Sequence, residues 1–318
     1  MDLNQGGRPQ SDREWKLLEK LVLSVHDESR KQRRWMIFFR VLTFGYLFLL
    51  LYLFLPGKIS APASGPHVGI VDLSGVIADG AEASADVLVS GLRDAFSARD
   101  SKAVLIRINS PGGSPVQSAY VFREIQRLRD KHPKKPVYAV ITDMGASGAY
   151  YIAAAADHIY ADQASIVGSI GVIMASFGFT EAIDKLGIER RVMTAGNNKA
   201  LLDPFAPVDQ GQKAHIQSML DEIHGQFIAA VKEGRGERLI EGRDEEIFSG
   251  LFWTGEQAMA LGLVDGLGSP GQVARDVIGI EEMVDYTPRR HPFDQLLSRF
   301  GASIGQSLAD ALGGASVR

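Results

Sequence analysis

A long apolar run near the N-terminus constrains this chain more than any other feature. Residues 35–55 read WMIFFRVLTFGYLFLLLYLFL, about 21 residues, and a helix of that length spans roughly 30 Å, enough to cross the hydrocarbon core of a bilayer. Its one charged residue, Arg40, lies near enough to one end to reach the headgroups. We therefore predict a single transmembrane anchor. A buried soluble helix and a cleaved signal peptide are the alternatives, and the long polar leader and the bulky Phe54 fit a cleavage site badly.

Basic residues are concentrated before this run, and they predict its orientation. The flank after the run has only Lys58 before Asp72, whereas the flank before it carries Arg30, Lys31, Arg33 and Arg34. Because basic flanks stay in the cytoplasm, we expect a cytoplasmic leader (residues 1–34) in the cytoplasmic (inner) membrane. Everything after the linker of residues 56–66, which is rich in Pro, Gly, Ala and Ser, is then expected on the outer or periplasmic side. Apolar residues at helical spacing between Trp15 and Val22 predict a short amphipathic helix in the leader, lying on the membrane or solvated.

The composition excludes several classes of function. The 318 residues carry a net charge of -4, so the chain lacks the basic excess by which nucleic-acid binders neutralise phosphates. There is no cysteine, which excludes disulfides, thiolate metal sites and a cysteine nucleophile. HExxH and GxxxxGK[ST] motifs are missing, and the GxGxxG match at residues 266–271 contains Pro270, which indicates a turn. We expect no metal and no cofactor.

From residue 67 onward, short β-rich runs alternate with helical patterns. HVGIVDL, AVLIRIN and PVYAVIT are each followed by a polar or glycine-rich turn and a stretch of helical period, which is typical of βαβ units. Mostly apolar strands, broken in AVLIRIN only by Arg107, suit a sheet covered on both faces. We predict a layered α/β catalytic domain at residues 67–286. Further helices are expected at residues 180–187, 209–233 and 255–262, a strand-like run at RRVM, and an amphipathic helical tail within residues 287–318.

Two strand-to-helix turns are candidates for chemistry. INSPGGS, residues 108–114, places Gly112 and Gly113 where free backbone amides could face an anion, although a lone PGG is more often an ordinary tight turn. TDMGASGAYYIAAAAD places Ser147 before Gly148 at the predicted start of an alanine-rich helix. A serine there is either an N-cap or a nucleophile whose oxyanion the Gly148 amide stabilises.

A serine nucleophile requires a base. The histidines beyond the anchor are poor candidates, because they lie in a charged turn, on a solvated helix face, near the linker, near the tail or, as His158, at the start of a strand. A lysine can act where burial lowers its pKa. Lys199 lies in TAGNNKALLDPF, an uncharged setting, whereas most other lysines lie in charged runs; Ser165 and Ser169 could orient its amine.

Five segments, taken in order, resemble the signal peptide peptidase A family of serine peptidases. They are INSPGGS, GASGAYYIAAAAD, VGSIGVI, the Lys199 segment and FWTGEQAMALGLVDG, and the resemblance covers roughly residues 67–280. Membership implies a fold like that of the Clp protease and crotonase group, with a Ser/Lys dyad. Relatives often carry a bulky residue such as Tyr before the lysine, where this chain has Asn198.

The resemblance also implies a role for each matching residue. Ser147 is the nucleophile and Lys199 the base, Gly113 and Gly148 are oxyanion donors, and two residues support them: Gly112 shapes the loop, and Ser169 is a hydroxyl partner of Lys199. The implied function is a membrane-anchored serine endopeptidase that degrades cleaved signal peptides and related hydrophobic peptides.

The expected partners are hydrophobic peptides, membrane lipid around the anchor and further copies of the chain in a homo-oligomer, with no nucleic acid. Apolar residues such as Ile173, Met174 and Leu201 suggest a groove for an extended hydrophobic peptide. The alternatives are a non-catalytic membrane scaffold or quality-control protein on the same fold, and a crotonase-like acyl-CoA enzyme, against which the anchor and the Ser/Lys pairing argue.

Overall fold

The computed structural model describes residues 9–54 and 65–288. A single helix, α1 (Pro9–Phe54), contains 46 residues, so the predicted leader helix and most of the apolar run are continuous. Among the described residues, no helix is long and apolar enough to cross a membrane. The transmembrane anchor therefore stays a prediction. The predicted linker lies outside the described residues except Gly65 and Pro66, and so does the predicted tail except Thr287 and Pro288.

Residues 65–288 belong to one compact unit, and α1 belongs to another. In the unit of residues 65–288, eight strands form one sheet. Its main order is β6-β5-β3-β2-β1-β8, with β4 beside β3 and β7 beside β4. All pairings are parallel except that of β5 with β6. The strands are β1 (His67–Ser74), β2 (Ser101–Ser110), β3 (Val137–Ala146), β4 (His158–Ala161), β5 (Ile166–Gly168), β6 (Phe252–Thr254), β7 (Gly266–Leu267) and β8 (Met283–Asp285).

Helices follow most of these strands. They are α2 (Ala85–Ser97), α3 (Pro115–Lys131), α4 (Gly148–Ala153), α5 (Thr180–Lys185), α6 (Gln210–Arg235), α7 (Asp244–Ile247), α8 (Gly255–Ala260) and α9 (Pro270–Gln272), with a 3₁₀ turn at Gly236–Arg238 and a π-helical turn at Val273–Ile278. The two longest helices of this unit have side-chain caps: Ser114 accepts from the N–H of Gln117, and Asp209 accepts from the N–H of Gln212.

The alternation of side chains along the strands covers both faces of the sheet. In β2, Val104, Ile106 and Ile108 pack in a large cluster with apolar residues of α2, α3, α4 and α6. The intervening Leu105 packs on the other face in a smaller cluster that includes Val273. Because successive side chains of a strand point to opposite faces, a mostly apolar strand requires two covering layers. The layered α/β class is therefore confirmed, whereas the likeness to the Clp protease and crotonase fold stays a prediction.

The charged residue that interrupts β2 has a partner on the neighbouring strand. Arg107 lies in register with Asp72 of β1, and two hydrogen bonds of 2.7 Å join its guanidinium to the Asp72 carboxylate. The hydrogen bond to Asp72 raises the pKa of Arg107 against the opposing effect of burial. A charge is therefore compatible with this strand because it is paired across the sheet.

One predicted element is wrong. The run RRVM, residues 190–193, has no regular structure and is exposed. Arg190 instead forms an ion pair with Asp203 at 2.8 Å and lies over the ring of Phe205 at 5.0 Å. The described contacts of this run are thus local side-chain contacts, with no strand pairing. The surrounding residues 171–209 contain α5 and otherwise irregular, mostly exposed backbone.

Candidate active site

The loop after β2 is formed by two glycines in conformations that other residues avoid. Gly112 has φ +94° and Gly113 has φ +149°. The N–H of Ile77 donates to the Gly112 carbonyl at 2.9 Å, and the N–H of Ser114 donates to the Ile77 carbonyl at 2.8 Å. Among the described residues, this bridge leaves the N–H of Gly113 without an acceptor. A Cβ on Gly113 would collide with the Ile77 carbonyl, so only glycine fits.

Ser147 lies at the junction of β3 and α4 with a left-handed backbone, φ 52° and ψ -126°. Its N–H donates to the Gly168 carbonyl at 2.8 Å, and its carbonyl accepts from the N–H of Tyr151 at 3.0 Å. Its side chain makes no capping hydrogen bond to α4. The N-cap explanation of this serine is therefore not supported, and its half-buried hydroxyl remains available for chemistry.

The two glycine amides lie close to Ser147 and to each other. A Cβ built on Gly112 would lie 2.7 Å from both the Ser147 Cβ and the Gly148 nitrogen, and one built on Gly148 would lie 3.3 Å from the Gly113 nitrogen. Gly148 is the first residue of α4, and the first N–H groups of a helix have no acceptor within it. Two unpaired N–H groups beside a hydroxyl can stabilise an oxyanion that forms there.

A cavity of about 410 Å³ opens beside this arrangement. Gly113, Ser147 and Gly148 line one end, and most of its remaining wall is apolar. The other lining residues are Pro115, Val116, Ala119 and Arg123 of α3, Tyr151 of α4, Gly171, Val172 and Ile173 after β5, and Ile223, Gln226 and Phe227 of α6. A concave, mainly apolar pocket with a few polar groups at one end is typical of a substrate site.

Comparison with known proteins places this site in a family. A profile described as peptidase family S49 matches residues 129–278, a range that includes both Ser147 and Lys199. A protein of Methanocaldococcus jannaschii that is named as a protease is 33% identical over 219 residues, which are 67% of this chain and 69% of that protein. The chain belongs to peptidase family S49. The resemblance to the signal peptide peptidase A family is thereby confirmed.

Other relatives are longer proteins. Protease 4 of Haemophilus influenzae is 32% identical over 206 residues, 64% of this chain and 33% of that protein. A protein of Brucella abortus named Na(+)/H(+) antiporter NhaA is 50% identical over 188 residues, which are 59% of this chain and 25% of that protein. The chain thus spans a quarter of the length of that relative, and the name of the antiporter says nothing about this chain.

Two predicted S49 site residues lie away from the cavity wall. Ser169 follows β5 in a left-handed conformation, φ 53°, and its N–H donates to the Leu251 carbonyl at 2.7 Å. Lys199 lies in an exposed turn, where its N–H donates to the Gly196 carbonyl at 3.1 Å. Ser147, Gly112, Gly113 and Gly148 are brought together, whereas neither Ser169 nor Lys199 lines the cavity. Of the predicted groove residues, Ile173 lines the cavity, and Met174 and Leu201 do not.

Three further residues shape this S49 site and were not predicted from the sequence. Ile77 holds the Gly113 loop through the bridge, and nothing in its sequence context indicates that role. Ser118 is buried beside Gly148, and its hydroxyl donates to the Ser114 carbonyl at 2.9 Å. Its position in the sequence, four residues after the N-cap of α3, could have indicated that its hydroxyl bonds to the first turn of the helix. Arg123 lies one helical turn after Ala119 and so shares the face of α3 that lines the cavity.

Proposed function

We propose that this chain is a serine endopeptidase in which Ser147 is the nucleophile. One observation carries the proposal: a serine without a capping bond lies at a left-handed strand-to-helix junction, next to the free amides of Gly113 and Gly148. Strained backbone of this kind persists where the surrounding structure fixes it, and it presents the hydroxyl to a ligand. The S49 relatives named as proteases support the same reaction.

The proposed reaction is acyl transfer to water. The Ser147 Oγ attacks the peptide carbonyl carbon, and its proton passes to Lys199, which returns it to the leaving amine as the C–N bond breaks. The Gly113 and Gly148 amides stabilise the oxyanion of each tetrahedral intermediate. Water then attacks the acyl-enzyme carbonyl carbon with Lys199 as the base, the ester C–O bond breaks, and Lys199 returns the proton to the Ser147 Oγ. The proposal requires the exposed turn that carries Lys199 to approach the Ser147 hydroxyl.

The proposed substrates are hydrophobic peptides such as cleaved signal peptides. The cavity beside Ser147 has a mainly apolar wall formed by α3, α6 and residues 171–173. Transfer of apolar side chains from water into such a wall is worth roughly 1.5–3 kcal/mol for each large side chain. We further propose that residues 35–55 anchor the chain in the cytoplasmic membrane with the catalytic domain outside, on the basis of their composition and basic flank.

Assembly into a homo-oligomer is part of the proposal. Residues 171–209 expose large apolar side chains without cover, including Ile173 (88% exposed), Phe177 (79%) and Met193 (98%). Apolar surface of this extent favours contact between proteins, and a second copy of the chain would cover it. Light scattering of the full-length chain in detergent tests this, and a monomer at high concentration would contradict it.

Labelling with a fluorophosphonate probe tests the nucleophile directly. The full-length protein should react at one serine, identified as Ser147 by mass spectrometry, and Ser147→Ala should not react. Hydrolysis of an apolar peptide should be lost in the same variant. Labelling at another serine would reject Ser147. A folded protein that neither reacts nor hydrolyses peptides would support the non-catalytic scaffold instead.

A further inference from the structure

The cavity beside Ser147 has a cation at its far end. Pro115, Val116, Ala119 and Arg123 line it from one face of α3. With a rise of 1.5 Å per residue, Arg123 lies about 12 Å along the helix axis from Pro115. The cavity thus extends from the oxyanion donors, across an apolar wall, to a guanidinium group.

Arg123 has no acidic partner in the part of the chain that the structure describes. Its nearest recorded contact is the ring of Tyr120, whose centroid lies 5.3 Å from the guanidinium carbon. The adjacent Glu124 carboxylate is held by Arg93 and Arg127, each at 2.7 Å. The Glu233 carboxylate accepts a hydrogen bond of 2.6 Å from Gln126, and among the described residues no ion pair joins it to Arg123.

Arg123, although exposed, lines the same cavity as Tyr151 and influences the pKa of that side chain. Burial raises the pKa of Tyr151, Arg123 opposes that shift, and Glu233 adds to it. Tyr151 also lines the cavity, one helical turn after Ser147. The positive charge of Arg123 therefore acts on Tyr151, a side chain of the cavity wall close to Ser147 in the chain.

We infer that Arg123 binds a carboxylate of the substrate peptide, so that the site selects apolar peptides with a negative charge several residues from the scissile bond. The inference rests on the proposed peptidase function. An extended peptide advances about 3.3 Å per residue, so a distance of about 12 Å corresponds to roughly three or four residues. A guanidinium group suits a carboxylate because it donates two parallel hydrogen bonds.

The carboxylate has two sources, the C-terminus of the peptide or an acidic side chain. One internally quenched apolar peptide should be made with a free C-terminal acid, with a C-terminal amide, and as the amide with glutamate at the last position. The full-length protein should hydrolyse the acid or the glutamate peptide with a kcat/KM about 10-fold above that of the plain amide, the lower end for a charge-assisted hydrogen bond at a partly exposed site. If only the peptide with the free C-terminal acid is preferred over the plain amide, Arg123 binds the C-terminus. If the acid and glutamate peptides are preferred equally, Arg123 accepts either kind of carboxylate.

Two variants separate Arg123 from its neighbours. In Arg123→Gln, the ratio of kcat/KM between the charged and plain peptides should fall to about one, whereas Arg127→Gln, whose charge is held by Glu124 on the same helix, should keep the ratio of about 10. Arg123→Glu should prefer a peptide with a C-terminal lysine amide. Equal hydrolysis of all peptides by the parent protein, or an unchanged ratio in Arg123→Gln, would overturn the inference.

Binding distinguishes failure of this inference from failure of the proposed function. Fluorescence anisotropy with Ser147→Ala measures peptide affinity without hydrolysis. The Kd of the acid peptide should be about 10-fold below that of the amide, and the additional change Arg123→Gln should remove the difference. If the parent protein hydrolyses no peptide but this difference is present, the carboxylate site stands and the peptidase proposal fails. Equal affinities contradict the carboxylate site.

Discussion

Gly112 packs so closely on Ser147 that a Cβ added to Gly112 would lie 2.7 Å from the Ser147 Cβ. Gly112→Ala should therefore displace Ser147 or the Gly148 amide, in addition to forcing a side chain into φ +94°. Loss of one oxyanion donor costs about 100- to 1,000-fold in kcat, and we expect a reduction of this order in hydrolysis of an apolar peptide.

Gly242→Ala is the matched control for this glycine. Gly242 also has a left-handed backbone, φ +81°, but no atom lies within 4 Å of an added Cβ. It should lower the free energy of unfolding by about 1 kcal/mol, the cost of the conformation alone, and leave kcat unchanged. Equal activity losses in the two variants would attribute the effect to backbone strain rather than to contact with Ser147.

The proposed dyad predicts that two variants fail together. Lys199→Ala should reduce kcat about as much as Ser147→Ala, by up to about 10,000-fold, and the double variant should be scarcely worse, because both act in one proton transfer. Lys185→Ala is the control, since Lys185 lies in the same exposed region and, among the described residues, forms an ion pair only with Glu181, at 3.7 Å. His158→Ala and His215→Ala should keep most activity. An active Lys199→Ala with an inactive histidine variant would replace the dyad by a Ser/His arrangement.

Glu124 predicts a dependence of stability on acid pH. Hydrogen bonds from Arg127 and Arg93 lower its pKa to about 2. Because the pKa is lowered in the folded state, its stabilisation is complete above the unfolded pKa of about 4.3 and is lost as the pH falls through the folded value. Glu124→Gln should therefore lower the free energy of unfolding at about pH 7 by about 1–2 kcal/mol, a value reduced because both arginines are more than half exposed.

Urea unfolding of both proteins at several pH values measures the Glu124 contribution. The difference between parent and Glu124→Gln should shrink as the pH falls below about 4. Glu181→Gln, whose side chain is 92% exposed, should show almost no difference at any pH. A difference for Glu124→Gln that does not depend on pH would assign its effect to packing rather than to charge.

The buried ion pair of Arg235 and Asp265 predicts a large loss of stability. Arg235 is 1% exposed and donates to both Asp265 oxygens, at 2.9 and 2.8 Å, and to the Gly262 carbonyl at 2.9 Å. Arg235→Ala should lower the free energy of unfolding by about 2–3 kcal/mol, because it removes three hydrogen bonds of a buried guanidinium group. The loss is below that of an unpaired buried charge, since Arg238 remains 3.6 Å from the Asp265 carboxylate and the Ile159 N–H still donates to it. Arg275→Ala breaks an exposed pair with Asp276 and should cost less than about 0.5 kcal/mol. Similar melting temperatures for the two variants would contradict this prediction.

The basic flank before residue 35 predicts the orientation of the full-length chain in the membrane. A reporter fused after Arg318 should be active only outside the cytoplasm. Replacing Arg30, Lys31, Arg33 and Arg34 with uncharged residues should weaken this preference, because it removes the asymmetry between the flanks. A reporter active only in the cytoplasm would show that the orientation is wrong.

The sequence predicted the three long strands because their apolar runs are bounded by clear turns. β1, β2 and β3 fall where HVGIVDL, AVLIRIN and PVYAVIT indicate, and α6 was expected within two residues of its observed ends. The strand order was not predictable, because parallel neighbours are set by long-range packing rather than by local pattern. The strand predicted at RRVM was wrong because a short run of this kind gives only a weak local signal. In the structure, Arg190 of this run contacts Asp203 and Phe205 instead of a neighbouring strand.

The candidate site was predictable where it depends on backbone chemistry. Glycines and a small-residue turn indicated the Gly112–Gly113 loop and Ser147, and their proximity follows because the carboxyl ends of the adjacent strands β2 and β3 meet at one edge of the sheet. The roles of Ile77 and Arg123 depend on contacts between segments that are distant in the chain. Local sequence patterns do not reveal such contacts. Lys199 was chosen for its uncharged neighbours, and its exposed turn leaves its approach to Ser147 to be tested.

The proposed nucleophile, Ser147, is held by a part of the chain that is synthesised after it. The N–H of Ser147 donates to Gly168, Ser169 next to it donates to Leu251, and β5 pairs with β6. A nascent polypeptide that has left the ribosome only as far as residue 240 contains every predicted catalytic side chain but lacks the strand that supports them. If Ser147 is the nucleophile, as proposed, we expect proteolytic activity only after the segment around Trp253 has folded onto the sheet.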